Sequence, residues 1–283
     1  MRQYLELIQR VKDTGVWVDN SRTGQRCLTV INADFEYDCT DHKLPILTTK
    51  KSYWKQAISE MLGYLRGYSS AAEFRDIGCN TWNANANENP AWLNNPYRKG
   101  TDDMGRVYGC QGRDWRNPEN ESIDQLRQVY NDLRQRIDNR SEIITFMNPG
   151  ERDRGCLNAC MHTHTFSILD DTLYLTSYQR SDDLPLGHGF NQIQVAWLLM
   201  TMAQITGLRA GTAYHKIVNA HVYENQIDKL FNVQLLRTPF PSPTLHINPD
   251  IKTLEDLETW VSVDDFSLIG YQHHDAISFP FTV

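Results

Sequence analysis

The chain of 283 residues is long enough to bury a sizeable core, as one large domain or two. Its 40% hydrophobic and 22% charged content is that of an ordinary globular protein, and a formal net charge of -7 argues against nucleic acid or an anionic membrane as a partner held by bulk charge. No apolar run nears the roughly 18 residues of a membrane span, and Met1-Arg-Gln-Tyr-Leu-Glu6 lacks a signal peptide's apolar core, so an unanchored cytoplasmic protein is expected. Six cysteines form no C-x-x-C pair and no zinc-ligand spacing, so no metal is expected and most are read as small buried hydrophobes.

In chain order, Tyr4, Leu5, Ile8 and Val11 at helical spacing predict an amphipathic helix over 3–13. Asn20 to Gly24 reads as a turn, in which Arg22 is either a solvated charge or an arginine closing over a phosphate. Residues 27–31 and 35–39 read as two short strands. A helix is expected from about Ser52 to Arg66 with Trp54, Ile58, Met61, Leu62 and Leu65 as its apolar stripe. Glu60 lies among these residues, and partial burial there would raise its pKa toward the range of an acid or base. Residues 79–116 read as a long irregular loop rich in Asn, Trp, Gly and Pro, in which Trp82 and Tyr108 are aromatic walls for a planar ligand or simple loop packing. A helix over about 122–137 and a buried strand over 142–147 follow. Residues 161–169 and 172–180 read as strands joined at the Asp170-Asp171 turn. A strongly apolar helix over 190–206, a strand over 214–220, a helix over 221–236 and a proline-punctuated tail complete the chain, with no repeat or linker, as one domain spanning 1–283.

The stretch from Asn158 to Asn191 gathers the chemistry. It offers a thiol (Cys160), an arginine (Arg180), carboxylates (Asp182, Asp183) and a side-chain amide (Asn191) within about one hairpin and a turn. A nucleophile, an anion clamp and a bidentate amide suit attack on a phosphorylated heterocycle.

Arg22-Thr-Gly24, Thr48-Thr-Lys50, Glu60, Leu65-Arg-Gly67, Trp82, Gly105-Arg-Val-Tyr-Gly109, Cys160, Tyr178-Gln-Arg-Ser-x-Asp183, Leu186-Gly187, Phe190-Asn191 and His221-x-Tyr223 stand in the order of the thymidylate synthase family, and the resemblance covers nearly the whole chain. It implies an α+β fold, a mixed sheet flanked by helices, and a homodimer built by sheet-to-sheet packing. It implies one-carbon transfer from 5,10-methylenetetrahydrofolate, as co-substrate, to C5 of a pyrimidine nucleotide, typically dUMP. Cys160 would add at C6, Asn191 would bond O4 and N3–H, Glu60 would move protons around O4 and the folate, and Tyr108 would assist deprotonation at C5. Asp183 is carried over both to the catalytic set and to the folate side. Arg22, Arg180 and Ser181 would hold the 5′-phosphate, with Arg140 reaching it from the other subunit. His221 and Tyr223 would bond the 3′-hydroxyl. Trp82, Gly187 and Phe190 would line the folate, Lys50 would lie near its glutamate tail, and the Val283 carboxylate would close over the site.

This chain departs from the family pattern near the chemistry, at Ala159, Met161, Asp182, His188, Gly189, Asn83, Asn85 and Ser141. The departures read either as drift or as altered chemistry, since phage-type relatives let water capture the methylene and release a 5-hydroxymethylpyrimidine nucleotide. Polar side chains at Asn83, Asn85 and His188 would then place that water, or face solvent. Asp182 would add a carboxylate beside the phosphate site. Asn191 favours uracil over cytosine, so dUMP is expected ahead of dCMP.

Overall fold

The computed structural model describes residues 2–20 and 24–281. Arg22 and Val283 lie outside the described residues. Strands β1 (Val16–Asn20) and β2 (Gln25–Asp38) are followed, after the short pair β3 (Trp115–Arg116) and β4 (Ser122–Ile123), by β5 (Ile143–Thr145), β6 (Met161–Leu169), β7 (Thr172–Asp183) and β8 (Arg209–Tyr223). Six of these form one sheet in the order β1-β2-β8-β7-β6-β5. Only β7 and β8 run parallel; every other neighbouring pair is antiparallel. In the tail, β9 (Thr244–Ile247) pairs with β10 (Phe266–Ile269).

Helices α1 (Arg2–Thr14) and α2 (Trp54–Leu65) precede four short ones, α3 (Ala71–Asp76), α4 (Asn83–Asn87), α5 (Pro90–Leu93) and α6 (Gly109–Arg113). Then come α7 (Gln125–Arg134), the 20-residue α8 (Gly187–Thr206), α9 (Ile227–Lys229) and α10 (Leu254–Glu258). The result is the expected mixed sheet flanked by helices.

Helix α8 joins the parallel strands β7 and β8 and packs against both, with α2 on it as well. From Val195 to Ala203 it is buried on every side, which explains its lack of an amphipathic stripe. Truncating a core leucine such as Leu198 to alanine costs about 2–5 kcal/mol by the cavity it leaves. Its residues His188, Asn191, Gln192 and Gln194 crowd polar side chains into the first two turns, at the end where β7 stops. The helix ends at Gly207, whose left-handed φ of 69° lets its N–H close onto the last carbonyls.

Several expected boundaries differ. Residues 27–31 and 35–38 belong to one strand, β2, which passes Asn32 at φ 60° and stops before Cys39. The expected helix from Ser122 begins at Gln125, because Ser122 and Ile123 pair with Trp115 and Arg116 and Asp124 caps the helix by accepting the Arg127 N–H. The expected loop over 79–116 contains α4, α5 and α6. His221 and Tyr223 sit on the end of β8, paired with Thr29 and Cys27, and not on a helix. A π-helical turn (Leu230–Gln234) follows α9 in place of a regular helix to Leu236.

Candidate active site

The last residues of the parallel β7–β8 pair lie side by side, with Ser181 opposite Asn219 and Asp183 opposite His221. The carboxyl ends of adjacent parallel strands are where open sheets place ligands. Cys160 lies on the loop entering β6, half-buried. Arg180 is wrapped around that loop. Its backbone N–H donates to Cys160 O at 2.9 Å. Its side chain donates from Nε to Ala159 O at 3.0 Å and from Nη2 to Asn158 O at 2.8 Å and to Cys160 Sγ at 3.5 Å. A guanidinium at that range favours thiolate over thiol. These contacts use three of its five donors, leaving capacity for an anion.

The Tyr108 hydroxyl accepts the Cys160 N–H at 2.8 Å. Its backbone has a positive φ of 33° at the mouth of α6. The ring is clamped in place by a parallel stack on Tyr64 at 4.6 Å and an edge contact with Trp82 at 5.6 Å. Gly109 lets α6 sit directly on α2, because a Cβ there would stand 2.3 Å from Tyr64 O. Burial raises the Tyr108 pKa well above 10, so its hydroxyl keeps its proton.

Glu60, on α2, accepts from Thr81 Oγ1 and, at 2.7 Å, from Gln194 Nε2. Burial raises its pKa, against the opposing hydrogen bonds from Thr81 and Gln194, as expected of an acid or base. Gln194 Oε1 in turn accepts from Asn191 Nδ2 at 3.3 Å, and Asn191 Oδ1 accepts from Gln179 Nε2 at 3.1 Å. Asn191 and Glu60 are thus tied through one glutamine.

On the other side of α8's first turn, burial lifts Asp183 from 3.8 to about 7. It accepts from Gln226 Nε2 at 3.2 Å and from Leu186 N–H at 3.4 Å. Lys50 is buried, its ammonium donating to Pro185 O and lying 5.0 Å over the Phe279 ring; desolvation drops its pKa to about 8. Gln226 also donates to Pro280 O at 3.2 Å, so the tail is moored beside Asp183. Gly187 lies where a Cβ would meet Asp182 Oδ1 at 3.3 Å and Asn191 Oδ1 at 3.5 Å. Phe190 is packed against the core. His221 bonds Asn219 Oδ1 at 2.9 Å through Nδ1 and meets Tyr223 edge-on at 5.3 Å.

The structure therefore brings together Cys160, Arg180 and Tyr108 on one side and Glu60, Asn191 and Trp82 on the next. Ser181, Asp183, His221 and Tyr223 sit at the strand ends. Arg140 is elsewhere, exposed at φ 65° in the turn before β5. Gln179, Gln194, Thr81 and Gln226 join the site without having been expected there. Gln179 stood inside the Tyr178-Gln-Arg-Ser motif without a role assigned to it, and Gln194, three residues past Asn191 and on the same helix face, carried a weaker signal; Thr81 and Gln226 carried none.

Two departures prove to be one feature. Asp182 and His188 are both turned into the core, paired at 2.7 Å through Oδ2 and Nδ1. The His188 ring stacks on Tyr4 at 5.1 Å and lies 4.5 Å from Phe35. His188 therefore does not face solvent, and Asp182 is turned inward with it. Asn83 is tied to Arg75 Nη1 at 2.8 Å. Among the described residues no cluster of three metal-ligating side chains occurs, and no helix is long and apolar enough to cross a membrane.

A family model described as thymidylate synthase matches residues 2–283. Among curated relatives, a protein named thymidylate synthase from Pasteurella multocida is 68% identical over the whole of both chains. One of the same name from Histophilus somni is 67% identical, and one from Mannheimia succiniciproducens 66%, again over the full length of each. With the motif residues gathered at the carboxyl ends of β7 and β8 and this match from end to end, the chain belongs to the thymidylate synthase family.

Proposed function

We propose that the protein is a thymidylate synthase, which transfers the methylene carbon of 5,10-methylenetetrahydrofolate to C5 of dUMP and yields dTMP and dihydrofolate. The observation that carries this reading is the convergence of two groups on Cys160: the Tyr108 hydroxyl accepts its backbone N–H, and the Arg180 guanidinium lies 3.5 Å from its Sγ. C5 of uracil is a poor nucleophile. Addition of the Cys160 thiolate at C6 pushes an electron pair onto O4 and makes C5 enolate-like. Asn191 donates to O4 and accepts from N3–H, stabilising that enolate. Glu60 moves protons around O4 and the folate, and Tyr108, which keeps its own proton, assists removal of the C5 proton by hydrogen-bonding the water that accepts it. The folate supplies both the methylene carbon and the hydride that reduces it. Cys160 then departs from C6.

Arg22, Arg180 and Ser181 hold the 5′-phosphate, and His221 with Tyr223 the 3′-hydroxyl. Trp82, Asp183, Gly187 and Phe190 line the folate, with Lys50 and Val283 closing that side. The protein acts as a single-domain subunit of a homodimer in the cytoplasm. Its dimer surface is the sheet face bearing Tyr174, Tyr178, Tyr214 and Lys216, which stay partly or fully exposed while the opposite face is buried. Nothing observed favours hydroxymethyl transfer, and dCMP is the disfavoured nucleotide.

Purified protein given dUMP and the folate should show the absorbance rise of dihydrofolate and a product with the mass of dTMP. Cys160→Ala should lower turnover by roughly 10³-fold or more. A product heavier by one oxygen, or Cys160→Ala turning over at the wild-type rate, would overturn the reading.

A further inference from the structure

Asn191 is one link in a longer buried chain. Tyr37 Oη lies 3.2 Å from His215 Nδ1, and His215 Nε2 lies 2.7 Å from Gln179 Oε1. Gln179 Nε2 then reaches Asn191 Oδ1 at 3.1 Å, and Asn191 Nδ2 reaches Gln194 Oε1 at 3.3 Å. Gln194 Nε2 ends the chain on Glu60 at 2.7 Å. Tyr37, His215, Gln179 and Gln194 are all buried, His215 completely.

Two backbone carbonyls give the chain a direction. Gln179 Nε2 also donates to Ser181 O at 2.8 Å, and Gln194 Nε2 to Ala57 O at 3.3 Å. A carbonyl only accepts, so each glutamine must present its Nε2 on that side and its Oε1 on the other. Gln179 Oε1 therefore needs a donor from His215, which must carry its proton on Nε2. Nδ1 is then an acceptor, met by the Tyr37 hydroxyl. Burial pushes His215 down to about 3, so the ring is neutral with one N–H to place. Every link donates toward Glu60.

We propose that His215, by donating Nε2–H to Gln179 Oε1, reinforces the Gln179 orientation that Ser181 O also selects, and through Gln179 holds which way round the Asn191 amide faces, so that the site selects a uracil over a cytosine ring. This rests on the nucleotide reading above. The chain holds Asn191 with one N–H and one lone pair left for the ligand. Uracil offers O4 as acceptor and N3–H as donor, which match. Cytosine offers the reverse and requires the amide to turn over. Turned, Asn191 would set Oδ1 against Gln194 Oε1 and Nδ2 against Gln179 Nε2, losing two buried hydrogen bonds for two like-with-like contacts. His215 is a positioning residue, since its ring touches Gln179 and Tyr37 and is separated from the ligand by two side chains.

The test compares dUMP and dCMP binding to the whole protein by calorimetry in wild type, His215→Phe and His215→Gln. Phenylalanine keeps an aromatic ring and removes the donor, whereas glutamine keeps an N–H to offer to Gln179 Oε1. In His215→Phe the preference for dUMP over dCMP is expected to fall by about tenfold. In His215→Gln it should return most of the way. A role confined to packing would weaken both nucleotides alike and leave the ratio where it was. Should His215→Phe fail to fold, Tyr37→Phe removes one hydroxyl and should lower the ratio by about two- to threefold. An unchanged ratio in the variants that fold overturns the proposal. Wild type that binds neither nucleotide overturns the functional reading instead.

Discussion

At the scale of residues, Asp183 carries the sharpest expectation. Its pKa rises from 3.8 unfolded to about 7 folded, chiefly through burial, with the neighbouring Asp182 charge adding to the rise. The folded state thus binds a proton that the unfolded state has already released. The stability from this group is fully present below the unfolded pKa and is lost as pH climbs through about 7. An amide at this position does not titrate and has no such stability to lose. Urea unfolding of wild type and Asp183→Asn should therefore diverge between about pH 4.5 and about pH 7.5, wild type losing ~2–4 kcal/mol relative to the variant. Glu60 shifts in the same direction in both proteins and cancels, while Lys50, held down to about 8, exerts its effect above that window. A difference that stays flat with pH would mean Asp183 is ionised throughout. The contrast with Gln226 and His215 shows what the chain alone makes legible. Cys160, Asn191 and Arg180 sit in motifs whose types and spacing point to chemistry. A buried glutamine or histidine acquires its role from partners far along the chain, His215 from Tyr37 being 178 positions away, and no local spacing encodes that.

At the scale of elements, the strand boundaries that the sequence hid share one cause. Along β2 the inward series runs Leu28, Val30 and then Ala33, Phe35, Tyr37, skipping a position at Ile31–Asn32. On β8 it runs Ala213, His215, Ile217 and then Ala220, Val222. On β7 it runs Leu175, Ser177, Gln179 and then Asp182, and on β6 from Met161 to His164, where His162 is an extra residue in the register. The pairings skip the same line: Ile31 faces Asn219 and Ala33 faces Ile217, while Gln179 faces Ile217 and Ser181 faces Asn219. Alternation is the strand signal in a sequence, so a step in alternation cuts β2 and shortens β8 on reading. Helix α8 and α1 have no such step, and their extents were legible to within a few residues. The same step swings Asp182 into the core and leaves Arg180 at the break, where its side chain turns back over Cys160. Asn32, at φ 60°, holds the line open on β2. Asn32→Gly is expected to leave stability within about 0.5 kcal/mol of wild type, and Asn32→Val to lose about 1–2 kcal/mol, by thermal or urea unfolding. Equal effects from the two would detach the left-handed backbone from the step.

At the scale of the whole molecule, the position of Arg140 argues for two chains per site. Ile143, three residues beyond it, pairs with Thr165 on β6. Thr165 is five residues from Cys160, about 16 Å along an extended strand, and Arg140 lies beyond that again. Its side chain is exposed, and its backbone N–H donates to Asp138 Oδ1 within the same turn. A phosphate held by Arg180 in one chain is therefore out of reach of that chain's own Arg140. A second copy docked on the outer sheet face offers the way for Arg140 to take part. Complementation tests this directly. Arg140→Ala and Cys160→Ala should each be nearly inactive. After they are mixed in equal amounts, unfolded and refolded together, half of the dimers carry one chain of each kind. If Arg140 serves the opposite subunit, each mixed dimer has one site with both residues intact and one with neither, so activity should return to about a quarter of wild type. If Arg140 serves its own chain, no site in the mixture is intact and activity stays at the level of the separate variants. Recovery that follows the product of the two variants' fractions, greatest at equal amounts, would further tie the regained activity to the mixed dimer, since random pairing makes that species most abundant there.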